Sequence, residues 1–196
     1  RGNLNASGPD LPLFLQIGGR IQGTESFLNQ FAQNLTSTVT RPFTFASEFD
    51  VDLENGNINV PELTLRALDL QLNGQINDRN MNARNGSING AMRLESGRPG
   101  PLLAAAGQAD LAEVMERLSV NLQLSGNRAD LVIEPLSASL VASGPRIPNS
   151  PATIALNAST RLNLDRETLA MESFSLEGLG LNARGSVNAE NILDAP

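Results

Sequence analysis

An internal repeat of strand-like sequence constrains this chain more than any other feature. Residues 43–76 align without a gap with residues 154–187, at a constant offset of 111 residues. Both copies alternate apolar and polar residues, as strands with one buried face do. A shorter copy at residues 118–144 keeps the same order of apolar residues. Such a repeated amphipathic unit predicts a mainly β fold, in which similar hairpins add side by side to an antiparallel sheet.

The two long copies also share their departures from simple alternation. The apolar spacing widens from two residues to three at matched places, which are Val60 to Leu63, Leu65 to Leu68, Met171 to Phe174 and Leu176 to Leu179. A slip of one residue would turn every later side chain to the other face unless a β-bulge absorbs it. Pro61 suits a bulge, because it cannot donate a ladder hydrogen bond. We therefore predict a curled sheet, shaped like a groove or taco, with one apolar face inward.

Two Asn-Gly pairs occur in the first copy of the repeat. Asn55-Gly56 separates two alternating arms and predicts a hairpin, because both positions of a two-residue hairpin turn require positive φ. Asn73-Gly74 closes the next alternating run. Strand-like sequence therefore dominates residues 41–94.

Two segments have helical rather than strand spacing. Residues 26–35 place Phe27, Phe31 and Leu35 four apart, which forms a helical stripe. Residues 101–117 are rich in Leu and Ala, and the apolar face of their second half is formed by Leu111, Val114, Met115 and Leu118. We expect each segment to plug or cap an end of the sheet.

The residue inventory excludes most catalytic chemistry. The chain has no His, Cys, Trp, Tyr or Lys, and its 14 basic residues are all Arg. The usual nucleophile–base pairs and the Ser–Lys pair therefore cannot be assembled, and the preferred ligands of zinc and copper are missing. A net charge of −7 argues against nucleic acid as a partner. We predict no catalytic residues, no metal, no cofactor and no enzymatic activity.

One acidic run superficially resembles a calcium-binding loop. It contains Asp50, Asp52 and Glu54, but Gly56 stands one place late and Pro61 occupies the position of the bidentate Glu. Alternation instead places the three carboxylates on the solvent face of a strand.

The whole chain, residues 1–196, is interpreted as one β-repeat fragment of a longer protein. Its copies lie at about 41–81, 118–144 and 152–192. No apolar run approaches the roughly 20 residues of a membrane-spanning helix. The first ten residues also lack the apolar stretch of a signal peptide. We expect any membrane anchor to lie in segments outside this chain.

The best candidate binding surface is the apolar side of the two long copies. Eight residues recur at matched positions and are predicted to lie together on the concave face of the bent sheet: Leu63, Leu65, Leu68, Leu70, Phe174, Leu176, Leu179 and Leu181. If that face is an open groove, its chemistry suits acyl chains.

The order of elements resembles the AsmA family of bacterial envelope proteins, which is related to TamB and YhdP. The specific stretch, residues 101–140, is PLLAAAGQADLAEVMERLSVNLQLSGNRADLVIEPLSASL. In that family a short Leu/Ala helix is likewise followed by a strand pair whose second strand ends in a Leu-x-Pro-Leu type of sequence, here Ile133-Glu134-Pro135-Leu136. Residues 162–192 also resemble the recurring unit of the family.

The resemblance implies a periplasmic segment of a protein anchored in the inner membrane. The curled sheet of such proteins forms an apolar groove for phospholipid transport toward the outer membrane, or supports outer-membrane biogenesis. The family supplies no site motif that can be carried over residue by residue, and no protein partner is identified.

Two other functions fit the same residues. One is a structural scaffold or assembly factor, in which the apolar face is a dry core that binds no lipid. The other is a surface adhesin or carbohydrate-binding β-repeat, suggested by the Asn-rich strands but lacking the aromatic residues that stack on sugars.

Overall fold

A computed structural model describes residues 1–9, 42–52, 54–80, 83, 86–105 and 107–190. These residues form one unclosed antiparallel sheet, in which the strands lie side by side in chain order. The strands are β1 (Gly2–Gly8), β2 (Phe43–Asp52), β3 (Asn57–Ala67), β4 (Leu70–Arg79), β5 (Ser87–Ser96), β6 (Met115–Asn127), β7 (Asp130–Ala142), β8 (Ala152–Asn163), β9 (Thr168–Gly178) and β10 (Leu181–Glu190). Two short helices, α1 (Gly100–Ala105) and α2 (Ala109–Ala112), connect β5 to β6. The predicted mainly β, antiparallel fold is confirmed.

The predicted bulges lie at the matched places in the two long copies. In β3 the register shifts between Val60 and Leu63, so that Pro61 and Glu62 oppose one residue of β4. In β9 the register shifts identically between Met171 and Phe174. The third copy has the same irregularity in β7, at Glu134-Pro135. Each extra residue returns the apolar side chains to one face and bends its strand, consistent with a curled sheet.

The second widened spacing in each copy is a hairpin turn rather than a bulge. Leu68 and Asp69 connect β3 to β4 with φ of 55° and 60°, which is the left-handed region that a two-residue hairpin turn requires. Leu179 and Gly180 connect β9 to β10 in the same way, with φ of 53° and 77°. The predicted strand positions of Leu68 and Leu179 are therefore wrong.

The two Asn-Gly pairs have different outcomes. The hairpin around Asn55-Gly56 is confirmed, and Gly56 has a φ of 66°. Asn73-Gly74 lies inside β4, where both residues pair with β3 and β5. The turn lies at Leu68-Asp69 instead of Asn73-Gly74. A turn at that position sets the register in which the apolar residues of β3 and β4 pair on one face.

The helical segment predicted over 101–117 is present as α1 and α2 but is shorter than predicted, because α2 ends at Ala112. Met115 and Leu118 belong to β6, where Leu118 pairs with Ser96 of β5 and Leu140 of β7. Pairing with two neighbouring strands outweighs the helical spacing of this segment. The predicted helix over 26–35 lies outside the described residues.

The most buried residues are concentrated at the end of the sheet that carries α1 and α2. Among them are Phe43, Ala67, Ser96, Pro99 and Ala142, each at a strand terminus or in the adjoining connection. Most other apolar side chains of the strands are half-buried. A single sheet can cover such side chains only with their neighbours on the same face, which explains why so few are fully buried.

Candidate functional site

An unbroken row of apolar side chains crosses the sheet. Each member pairs directly with the next across the ladder, and directly paired residues share a face. This central row takes one residue from every strand: Ala6, Phe45, Leu65, Leu72, Leu94, Val120, Ala138, Leu156, Leu176 and Ala183. The face that carries it is termed the apolar face.

The adjacent residues, one position earlier on every second strand and one position later on the others, form a contrasting row on the opposite face. This polar row consists of Asn5, Ala46, Thr64, Asn73, Arg93, Asn121, Ser137, Asn157, Ser175 and Arg184. Apart from Ala46, every side chain in it is polar or charged. The sheet is therefore amphipathic along its whole width, which is the pattern of a sheet with one face in water.

Ion pairs strengthen the polar character of the second face. Arg161 of β8 donates hydrogen bonds to Asp130 at 2.8 Å and to Glu172 at 3.1 Å, which links three neighbouring strands. The hydrogen bond to Asp130 is the main reason that the pKa of Arg161 is raised. All three side chains are about half exposed, so we expect these pairs to contribute little to stability.

The apolar face has no covering layer within the described chain. The substantial contacts between its elements join neighbouring strands, or α1 with α2. Large apolar side chains consequently remain accessible, including Leu176 at 37% and Leu181 at 68%. Apolar area left in water is unfavourable, at about 25 cal/mol per Å². A face of this size is the expected feature of a binding surface.

Six of the eight residues predicted to line the groove lie on the apolar face. Leu63, Leu65 and Leu70 form one cluster on β3 and β4, because Leu65 and Ala67 pair with Leu72 and Leu70. The matched cluster on β9 and β10 contains Phe174, Leu176 and Leu181. Strands β5 to β8 separate the two clusters. The structure thus brings the six residues together as two groups of three, and places Leu68 and Leu179 in turns.

Sequence reasoning missed the residues that connect the two clusters. They belong to the central row and its neighbours on β5 to β8, and include Met92, Leu94, Val120, Leu122, Ala138 and Leu156. The alternation in β6 and β7 was visible in the third copy of the repeat. The sequence of β5 has no counterpart in that repeat, so only its pairing with β4 and β6 assigns its apolar side to this face.

Two hydroxyl groups are buried within the apolar face. Ser96 is 3% exposed and Thr160 is 5% exposed. Ser96 lies between Leu70 and Leu118, and Thr160 between Ile133 and Met171. Neither hydroxyl oxygen has a hydrogen-bond partner among the described residues. A buried hydroxyl without a partner costs about 1–3 kcal/mol, so both groups lower the stability of the sheet.

The acidic run at residues 50–54 has a structural role. The Asp52 carboxylate accepts hydrogen bonds from the backbone N–H groups of Glu54 and Asn55, both at 3.1 Å. It also accepts one from the Asn55 side chain at 2.7 Å. The Asn55 side chain is the main reason that the pKa of Asp52 is lowered. Asp52 therefore caps the β2–β3 turn, as an Asx turn does.

Three further observations bear on the class of site. Within the part of the chain that the structure describes, no three metal-ligating side chains form a cluster. None of the described helices has the length and apolar character to cross a membrane. Comparison of the chain with known proteins found no matching family model, no matching curated protein and no matching solved structure.

Proposed function

We propose that this chain is a periplasmic segment of an envelope protein, and that its apolar face carries phospholipid acyl chains toward the outer membrane. The observation that supports this most directly is the central row, which continues from β1 to β10 on a face without a covering layer in the described chain. The role is a non-enzymatic one. The resemblance to the AsmA family supports the same proposal and the expectation of an inner-membrane anchor outside this chain.

The dimensions of the apolar face suit a lipid chain. Five rows follow one another along the strands on this face, and the last of them contains Asp78 between Ile58 and Ile88. Successive rows are two residues apart, so the face spans about 27 Å in this direction. One leaflet of a bilayer has a hydrocarbon thickness of about 15 Å. Across the strands, ten neighbours at about 4.8 Å extend the face to about 43 Å. Acyl chains could therefore lie on the face in several successive positions.

The chemistry of the face also suits acyl chains. Most of its side chains are aliphatic or Phe, and would bury acyl chains with a gain of about 0.8 kcal/mol per CH₂ group. The polar row would remain in water on the opposite side.

A charged substitution tests whether lipid contacts this face. Leu176→Asp places a carboxylate in the central row at a position that is 37% exposed, so the carboxylate reaches water when no lipid is bound. We expect the phospholipid that copurifies with the chain to fall about thirtyfold, which corresponds to about 2 kcal/mol. The melting temperature should fall by only a few degrees, because the part of the leucine surface that the sheet covers is lost. Lipid extraction with mass spectrometry and thermal melting are measured on the same sample.

The matched control is Ser175→Asp, which adds the same charge to the polar row one residue earlier. It should leave the bound phospholipid unchanged. Equal lipid content in both variants would contradict the proposal, as would wild-type protein without phospholipid. If the wild type carries no lipid and the Leu176→Asp variant is unfolded, the scaffold function is favoured.

A conservative substitution tests the buried hydroxyl. Thr160→Val keeps the shape of the side chain and removes the unpartnered oxygen, so stability should be equal or higher. Affinity for phosphatidylethanolamine vesicles should not change, because the neighbouring side chains enclose the hydroxyl and keep it from a lipid on the face. A loss of affinity would show that Thr160 contacts the lipid.

A further inference from the structure

Three Asn-Gly sequences lie within the described residues, and they occupy two different settings. Asn55-Gly56 lies in the β2–β3 turn, where both residues are exposed. Asn73-Gly74 lies inside β4 and Asn89-Gly90 lies inside β5, and both strands pair with a neighbour on each side. The same dipeptide therefore meets water in a turn at one place and is held in the sheet at two others.

The Asn-Gly sequence is chemically labile, and its reaction requires only water. The glycine backbone nitrogen loses its proton to the solvent and attacks Cγ of the asparagine, while the side-chain nitrogen takes up a proton and leaves as ammonia. The product is a five-membered succinimide ring. Water then opens one of the two C–N bonds of the ring, giving the carbon a hydroxyl and the nitrogen a proton, and leaves aspartate or isoaspartate. Glycine favours ring closure, because it lacks a Cβ and its backbone is conformationally free.

The two strand settings oppose ring closure. The glycine nitrogen has to turn toward the asparagine side chain, and the extended backbone of a strand does not allow this rotation. The backbone N–H groups of a strand between two neighbours are also engaged in the ladder. Asn73 is further restrained, because its side-chain oxygen accepts a hydrogen bond from the Thr64 hydroxyl at 3.4 Å. At Asn73 and Asn89 the strand therefore has to open before the reaction proceeds.

The turn restrains Asn55 through Asp52. The side-chain nitrogen of Asn55 donates to the Asp52 carboxylate at 2.7 Å, and the backbone N–H of Asn55 donates to the same carboxylate at 3.1 Å. Both hydrogen bonds are exposed, so water competes for their donors and acceptor. Gly56 has a φ of 66°, which lies outside the strand region. A local rotation of the turn, rather than the opening of a strand, is therefore enough to bring the reacting atoms together.

We propose that Asn55 is a site of spontaneous deamidation, and that the reaction weakens the Asp52 cap of the β2–β3 turn. Aspartate at position 55 would carry an oxygen in place of the nitrogen that now lies 2.7 Å from Asp52, so two negative charges would replace a hydrogen bond. Isoaspartate would also add one carbon atom to the main chain of the turn. The Val51–Ile58 pair, which lies on the apolar face beside this turn, would lose the turn geometry that sets its register.

The modification would distinguish the two units of the repeat. Arg166 and Glu167 stand at the positions matched to Asn55 and Gly56, so the β8–β9 turn cannot react in this way. Deamidation would loosen one corner of the apolar face, and it does not depend on what that face binds.

Peptide mapping by mass spectrometry tests the proposal on the full chain, incubated at mildly alkaline pH for increasing times. Asn55 should react about tenfold faster than Asn73 and Asn89 or more, because the two strand sites react only when their strands open. Those two sites are the internal controls. In concentrated urea, where the strands are lost, all three sites should react at similar rates.

The effect on the cap is tested with Asn55→Asp, which reproduces one of the two products, and with Asn55→Ala as its control. Both variants remove the donor to Asp52, and only Asn55→Asp adds a charge beside it. NMR titration should therefore give a higher pKa for Asp52 in Asn55→Asp than in Asn55→Ala. Equal reaction rates at the three sites in the folded chain would overturn the proposal, as would an Asn55 that stays intact in the folded chain. An Asp52 pKa in Asn55→Asp that equals that of the wild type would overturn the effect on the cap.

Discussion

The sheet contains the same three-stranded unit twice, as β2–β4 and as β8–β10, and the two units share their local geometry. Asp52 accepts hydrogen bonds from the backbone of the β2–β3 turn, and the Asn163 side chain does the same in the β8–β9 turn. Each unit has its bulge and its left-handed hairpin turn at matched positions. Features that depend only on the sequence of one hairpin are therefore the same in both units.

The two units differ in burial. Leu65 and Leu70 of the first are half-buried, whereas the matched Leu176 and Leu181 are 37% and 68% exposed. For Leu181 the cause is the neighbour on the outer side: β4 pairs with β5, and β10 has no further partner in the described chain. Leu176 lies between Leu156 and the small Ala183, whereas Leu65 lies between the larger Phe45 and Leu72. The comparison shows that a hairpin encodes its own register, while its burial depends on strands elsewhere in the sequence.

Shortening a bulge should have the largest effect. Deletion of Glu62 would turn Ile58 and Val60 to the polar face, because the side chains of a strand alternate. We expect a loss of about 3 kcal/mol in the free energy of unfolding, measured with urea. Deletion of Ser173 in the second unit should cost a similar amount, since β9 also lies between two strands.

The control for the deletion is Glu62→Ala, which keeps the residue count and should change stability by about 0.5 kcal/mol or less. If the deletion and the substitution had equal effects, the bulge would not set the register. If only one of the two deletions were costly, the two units would not share one structural requirement.

Truncation of the matched residues Leu70 and Leu181 should change the free energy of unfolding by different amounts, because the two residues differ in burial. Leu70→Ala should cost about 2 kcal/mol, and Leu181→Ala about 0.5 kcal/mol, because Leu181 already exposes 68% of its surface. Both are measured by urea unfolding at a protein concentration where the chain is monomeric. The double variant should show additive costs, since several strands separate the two sites. Equal costs would mean that Leu181 is covered in solution.

The β2–β3 turn and the β8–β9 turn carry different residues at one matched position, and these residues can be exchanged. Gly56 and Glu167 occupy matched positions, with φ of 66° and 53°. Gly56→Glu should destabilise the chain by about 1 kcal/mol, because a Cβ there would also lie 3.1 Å from the Asn80 side chain. Glu167→Gly should stabilise it by about 0.5 kcal/mol. Glu167→Ala is the control in thermal melting, and equal stabilisation by Ala would exclude the backbone as the cause.

The smallest expected effect is a difference in pH dependence. Asp52 titrates, whereas Asn163, in the same turn of the second unit, does not. Hydrogen bonds from Asn55 lower the pKa of Asp52 in the folded chain. The resulting stabilisation is complete above the ordinary pKa of an aspartate, and is lost as the pH falls through the lowered pKa. NMR titration of the Asp52 carboxyl carbon measures that pKa directly.

Asn55→Ala should raise the pKa of Asp52 toward its ordinary value. Asp52→Asn should abolish this part of the pH dependence and make the first turn resemble the second. An ordinary pKa for Asp52 in the wild type would contradict the assigned role of the turn hydrogen bonds.

The same widened spacing has different structural outcomes at different residues. The spacing of Val60, Leu63, Met171 and Phe174 identified the bulges, because a slip of one residue has few other structural solutions. The similar spacing at Leu68 and Leu179 has two solutions, a bulge or a turn, and spacing alone does not distinguish them. Leu is also rare in the left-handed conformation, so residue type favoured the wrong solution.

The first hairpin, the bulges of β3 and β9 and the amphipathic character of the sheet can be predicted from the sequence, because each arises from residues close together in the chain. The structure was needed to place Met115 and Leu118 in a strand, to assign the apolar side of β5, and to show that Leu181 is exposed while Leu70 is half-buried. Those features depend on which strands pair with one another. Pairing is a contact between distant parts of the chain, so a local pattern does not contain it.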